Sequence, residues 1–160
     1  MTDSHTQTLA SLVVKRVLRA PVERVYRAWT DPAELEKWFS PNERWVQPKI
    51  DVENYVGGKH HITMVHSDTE EIPLFGKYTD LQLNKRVAFT WIPPEGMGTS
   101  GESLVTVDFA AVAGGTEVTL THERLVDPEE REQTSGGWTG CLETLARYVD
   151  EGIELAPRPA

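Results

Sequence analysis

The stretch DPEEREQTSGGWTGCLETLARYVDEG, residues 127–152, decides the fold. It opens as helices open: Asp127 suits the N-cap, Pro128 the first helical position, and Glu130 stands three residues after the cap, as in a capping box. Further on, Trp138, Cys141, Leu142, Leu145 and Val149 recur at steps of three and four, which places them on one side of a 3.6-residue helix. Glu143, Arg147, Asp150 and Glu151 take the other side. At 1.5 Å per residue this helix is about 39 Å long, and it needs a broad apolar surface beneath it. The strands upstream must supply that surface. Gly136 and Gly137 each weaken a helix by about 1 kcal/mol relative to alanine, so the pair predicts a kink or a close approach of other groups.

Residues 12–19 are rich in β-branched side chains and roughly alternating, as a first strand requires. Ala20-Pro21 ends it, and Val22, Val25, Tyr26 and Trp29 then follow helical spacing over 21–29. Asp31, Pro32 and Glu34 mark the start of a second short helix with Leu35 and Trp38 inward. Six more strands are predicted at 46–53, 59–66, 74–83, 86–92, 103–109 and 116–123, with turns at Gly57-Gly58 and Gly114-Gly115 and a flexible loop over 93–101. That order makes an α+β fold, in which a seven-stranded antiparallel sheet curls around the final helix.

The chain has 160 residues, 39% of them hydrophobic, enough for one core. A single domain is expected over 12–152, between a disordered tail over 1–11 and a C-terminal tail over 153–160. A net charge of −9 argues against a nucleic acid or an anionic membrane as the main partner. Residues 1–8 hold no apolar signal segment, and no stretch reaches the length of a membrane span. The one cysteine, Cys141, lies on the apolar stripe as a small buried hydrophobe. These features fit a cytoplasmic protein without membrane insertion, as a monomer or a homodimer.

No nucleophile elbow, phosphate loop, Cys-x-x-Cys or His-Glu-x-x-His pattern is present. His60 and His61 point to opposite faces of a strand, and His60 and His66 share a face about 20 Å apart, so neither pair holds one metal ion. No metal or cofactor is expected. His122 follows Val118 and Leu120 on an inward face and reads either as a proton-transfer or ligand-bonding residue, or as a satisfied core histidine, since Asp108 and Glu117 alternate outward. Tyr78 carries the same two readings. Trp38, Trp91 and Trp138 are either pocket walls or plain core.

The blocks APVERVYRAWTDPAELEKWF (20–39), Gly57-Gly58, GKY (76–78), FTW (89–91), GTEVTLTH (115–122) and GWTGCL (137–142) resemble the Aha1-like branch of the START-related SRPBCC superfamily. The resemblance implies a helix-grip fold: a curved seven-stranded antiparallel sheet wrapped around a long C-terminal helix, two short helices after the first strand, and an apolar cavity for lipids, polyketides or other hydrophobic molecules. On that footing Met64, Tyr78, Phe89, Trp91, His122 and Trp138 are expected to line a cavity closed by Trp38, Phe39 and the 93–101 loop, and the protein to be a non-enzymatic binder of a small hydrophobic molecule. Two alternatives stand beside it. One is a stress-related cochaperone with Hsp90 as partner. The other is a cyclase- or dehydratase-type enzyme using His122 or Tyr78 as general acid or base.

Overall fold

In a computed structural model of the chain, residues 11–94 and 101–159 are described. The tail expected to be disordered therefore lies outside the described residues except for Ser11, as does the 95–100 part of the expected loop. The chain runs β1 (Leu12–Leu18), α1 (Val22–Thr30), α2 (Pro32–Trp38), β2 (Trp45–Val52), β3 (His60–His66), β4 (Glu71–Leu74), β5 (Tyr78–Gln82), β6 (Arg86–Trp91), β7 (Ser103–Val112), β8 (Gly115–Glu123) and α3 (Pro128–Glu151). The helix starts are where the capping residues put them. The Asp31 carboxylate accepts from the Ala33 N–H at 2.9 Å, and the Asp127 carboxylate from the Glu129 N–H at 3.0 Å. α3 ends on Gly152, whose φ of 72° is the left-handed conformation a C-terminal glycine supplies.

The strands are antiparallel and number eight among the described residues, in a five-stranded sheet of order β1-β8-β7-β6-β5 and a three-stranded sheet of order β2-β3-β4. This corrects the single seven-stranded sheet, and the cause is local. The strand expected over 74–83 breaks around Gly76, where an added Cβ would lie 2.0 Å from the Thr90 carbonyl oxygen. Only a residue without a side chain lets β6 approach so closely. The break is also the corner where the sheets meet: Phe75 bridges Ile92, Lys77 bridges Lys59, and the His60 N–H donates to the Gly76 carbonyl at 2.9 Å.

α3 lies across β1, α1 and α2. Trp138, Cys141, Leu142 and Leu145 are buried as the periodicity requires, but the stripe drifts in the last turns, where Ala146 and Tyr148 are buried and Val149 is only half-buried. The drift follows from what lies beneath. Tyr148 donates its hydroxyl to Glu34 of α2 and its ring lies 5.1 Å from the Arg24 guanidinium of α1. Asp150, expected on the polar side, instead turns back to accept the Arg19 and Ala20 N–H groups at 3.1 and 3.2 Å, tying α3 to the end of β1.

The glycine pair behaves differently from expectation. α3 runs through Gly136 and Gly137, and a Cβ on either would meet nothing within 4 Å. The close approach falls at Gly140, where a Cβ would lie 2.0 Å from the Pro41 carbonyl oxygen. The tail after α3 is held as well: the Leu155 N–H donates to the Lys37 carbonyl at 2.8 Å and the Gln47 N–H to the Ala156 carbonyl at 2.9 Å. Among the described residues no helix is long and apolar enough to cross a membrane.

Candidate functional site

Strand alternation aims Phe89 and Trp91 of β6, Ser103 and Val105 of β7, and Leu120 and His122 of β8 into the space under α3. His122 pairs with Val105 across the β7–β8 ladder, which leaves its ring beside Ser103. The Trp138 indole N–H reaches His122 Nδ1 at 3.0 Å, and Ser103 Oγ lies 2.7 Å from Nε2. An indole nitrogen only donates, so Nδ1 is the acceptor and the proton of the neutral ring sits on Nε2, directed at Ser103 Oγ. Ser103 passes its own hydroxyl proton to the Trp91 carbonyl at 3.2 Å. Burial lowers the His122 pKa to about 4, so the ring is neutral at neutral pH.

This arrangement has a chemical consequence. Ser103 and His122 stand at the distance of a nucleophile and its base, but the proton runs the wrong way. The imidazole donates to the serine instead of accepting from it, and its one lone pair is held by Trp138. What orients the ring is an indole and a hydroxyl rather than a carboxylate. Ser103 was legible in principle, since it continues the inward alternation of Val105 and Val107. Its meeting with Trp138 and His122 has no local signal.

The remaining expected residues divide into two groups. Phe39, Trp91 and Trp138 come together, with Phe39–Trp138 and Trp91–Trp138 ring centroids 5.8 and 5.0 Å apart. Tyr78 and Phe89 gather instead around His60, which stacks on Phe89 at 3.7 Å and meets Tyr78 edge-on at 5.1 Å. Burial lowers the His60 pKa to about 3 and raises that of the Tyr78 phenol, whose hydroxyl makes no hydrogen bond among the described residues. Trp38 is wholly buried and donates its indole N–H to the Ala28 carbonyl at 2.8 Å.

Two voids flank the Trp91 side chain. One, of about 190 Å³, is walled by Phe39, Met64, Leu74, Gly137, Trp138 and Trp91 itself. The other, of about 200 Å³, touches Trp91, Ser103, His122, Glu130, Gln133 and Thr134. Each is smaller than the ~300–1,000 Å³ of a typical ligand pocket, because Trp91 stands between them. Trp38, Tyr78 and Phe89 line neither. A larger opening, of about 670 Å³, lies away from the aromatic cluster between residues 41–45, the outer face of α3 and the docked tail. There Arg147 is already paired with Glu143 at 2.9 Å, and no buried polar side chain lines it, as Ser103 and His122 line the void beyond Trp91. Among the described residues no three His, Cys, Asp or Glu side chains converge as metal ligands would.

Residues 19–150 match the family described as Activator of Hsp90 ATPase homolog 1-like protein. Among solved structures, protein CV1439 from Chromobacterium violaceum is 27% identical and superposes with a TM-score of 0.76, the match covering 89% of this chain and 98% of that one. An uncharacterized protein from Rhizobium leguminosarum is 28% identical with a TM-score of 0.70, over 88% of this chain and 94% of its own. DynU16, from the dynemicin biosynthetic locus, shares the fold alone at 21% identity and a TM-score of 0.75, over 90% of this chain and 48% of its own. No curated protein matches the chain.

Proposed function

The chain belongs to the Activator of Hsp90 ATPase homolog 1-like family, and from that premise we propose that it binds a small, largely apolar molecule, without transforming it, in the space on either side of Trp91. The observation that carries this reading is the apolar void beside α3, where Gly137 leaves room that any other residue would fill. Trp91 is only half-buried and lines both voids, and on this reading a rotation of its side chain would join them into a pocket of ligand size. Binding without turnover follows from the hydrogen bonds: the His122 lone pair is engaged and the Ser103 proton is committed to a carbonyl.

Gly137→Leu tests it. The substitution places a side chain into the void from a helix position with open space, and it replaces a poor helix former with a good one. Wild type, titrated with alkylbenzenes, flavonoids and fatty alcohols, should show tryptophan quenching and a higher melting temperature, with each compound recovered unchanged by mass spectrometry. The variant should melt no lower than wild type and bind none of them. If wild type binds none either, or if stimulation of an Hsp90 ATPase persists undiminished in Gly137→Leu, the function lies on the surface and the cavity reading fails.

A further inference from the structure

The two voids differ in chemistry, and the difference names a class of ligand, provided the binding reading above holds. The void under Gly137 is mainly apolar, its polar or sulfur atoms coming from Thr134, Met64 and Cys141, and takes an apolar body. The void beyond Trp91 is mixed, with Ser103, His122, Glu130 and Gln133 beside Trp91 and Leu125, and no lysine or arginine lines either one among the described residues. Arg131, the neighbour of Glu130 on α3, donates to the Leu125 carbonyl at 2.8 Å and stands outside the lining. His122 is neutral and hydrogen-bonded at both nitrogens. The N-terminal end of α3 would favour an anion, but Asp127, Glu129 and Glu130 already occupy its cap and first turn.

We propose that the ligand is an amphiphile whose polar end is uncharged or positively charged, and that the site rejects carboxylate- and phosphate-headed molecules. An anionic head entering the second void would give up part of its hydration without meeting a lysine or arginine and would face Glu130. A hydroxyl can bond with Gln133 and Thr134, and an ammonium gains from Glu130 and from the face of Trp91.

The experiment uses three compounds that share one body: 4-butylbenzyl alcohol, 4-butylbenzylamine and 4-butylbenzoate, titrated calorimetrically into the full chain at pH 7.4. The carboxylate should bind at least tenfold more weakly than the alcohol and the amine. Glu130→Lys, a charge reversal on the wall of the second void, should reverse the order in favour of the carboxylate. A carboxylate within tenfold of the other two in wild type, or an order unchanged by Glu130→Lys, overturns the head-group assignment while leaving the cavity as a binding site. If none of the three binds, nor any compound of the wider panel, the binding reading itself falls and takes this inference with it.

Discussion

The Trp138 indole N–H meets Nδ1 of His122 at 3.0 Å, a helix donating to a strand from 16 residues away in sequence. The bond fixes the tautomer of a fully buried imidazole and joins α3 to β8. Trp138→Phe keeps most of the ring and removes the donor. A buried acceptor left without a partner costs about 1–3 kcal/mol, so the urea midpoint should fall accordingly, and the ¹⁵N shifts of His122 should show Nδ1 released. An unchanged midpoint would mean that the bond contributes nothing.

Acid should unfold this protein through its histidines. His122 and His60 have folded pKa values of about 4 and about 3, both lowered by burial, against an unfolded value near 6.5. A depressed histidine pKa means that the unfolded chain takes up the proton first. The stabilisation is therefore intact above about pH 6.5 and drains away as the pH falls toward 4 and then 3. At 1.36 kcal/mol per pKa unit, His122 alone accounts for about 3 kcal/mol. Unfolding free energies measured from pH 7.5 to 3.5 should show that decline, and His60→Phe, which preserves the stack on Phe89, should make it shallower. Parallel curves for the two proteins would refute the role given to His60.

Three glycines of α3 should respond in opposite directions. Gly136→Ala and Gly137→Ala enter open space and should each stabilise by about 0.5–1 kcal/mol. Gly140→Ala drives a Cβ against the Pro41 carbonyl, where neither backbone can yield cheaply, and should lower the melting temperature. A Gly140→Ala protein as stable as wild type would show that the α2–β2 connection moves aside.

The Glu34 carboxylate joins three helices, accepting from Tyr148 of α3 and from Arg24 of α1 at 3.0 Å. Burial raises its pKa, but the bond from Tyr148 and the charge of Arg24 outweigh that, and the net pKa lies below the usual glutamate value. Its contribution is thus present above the unfolded pKa and lost as the pH falls through the folded one. Glu34→Ala leaves two partly buried donors without their acceptor and should cost about 1–3 kcal/mol at pH 7, with a smaller loss for Tyr148→Phe. Equal losses from the two variants would place the energy in the Tyr148 bond alone.

Features that depend on neighbours within a few residues could be read from the chain alone. Asp31-Pro32 and Asp127-Pro128 start helices because a cap bonds to N–H groups two or three positions on, and the inward faces of β6, β7 and β8 follow from two-residue alternation. The 20–39 block, together with the shorter blocks from Gly57-Gly58 to 137–142, likewise pointed to the family that residues 19–150 match. Tertiary structure decided the rest, through groups brought together from distant positions. Gly76 breaks a predicted strand because Thr90 lies against it, and Gly140 rather than Gly136 or Gly137 is where α3 makes its closest approach, because Pro41 arrives there. Asp150 looks like a surface residue of a helix until the end of β1 presents two N–H groups to it. Trp91 divides the space under α3 for the same reason: alternation aims its ring inward, but only the packing of Phe39 and Trp138 around it sets how much room remains on each side.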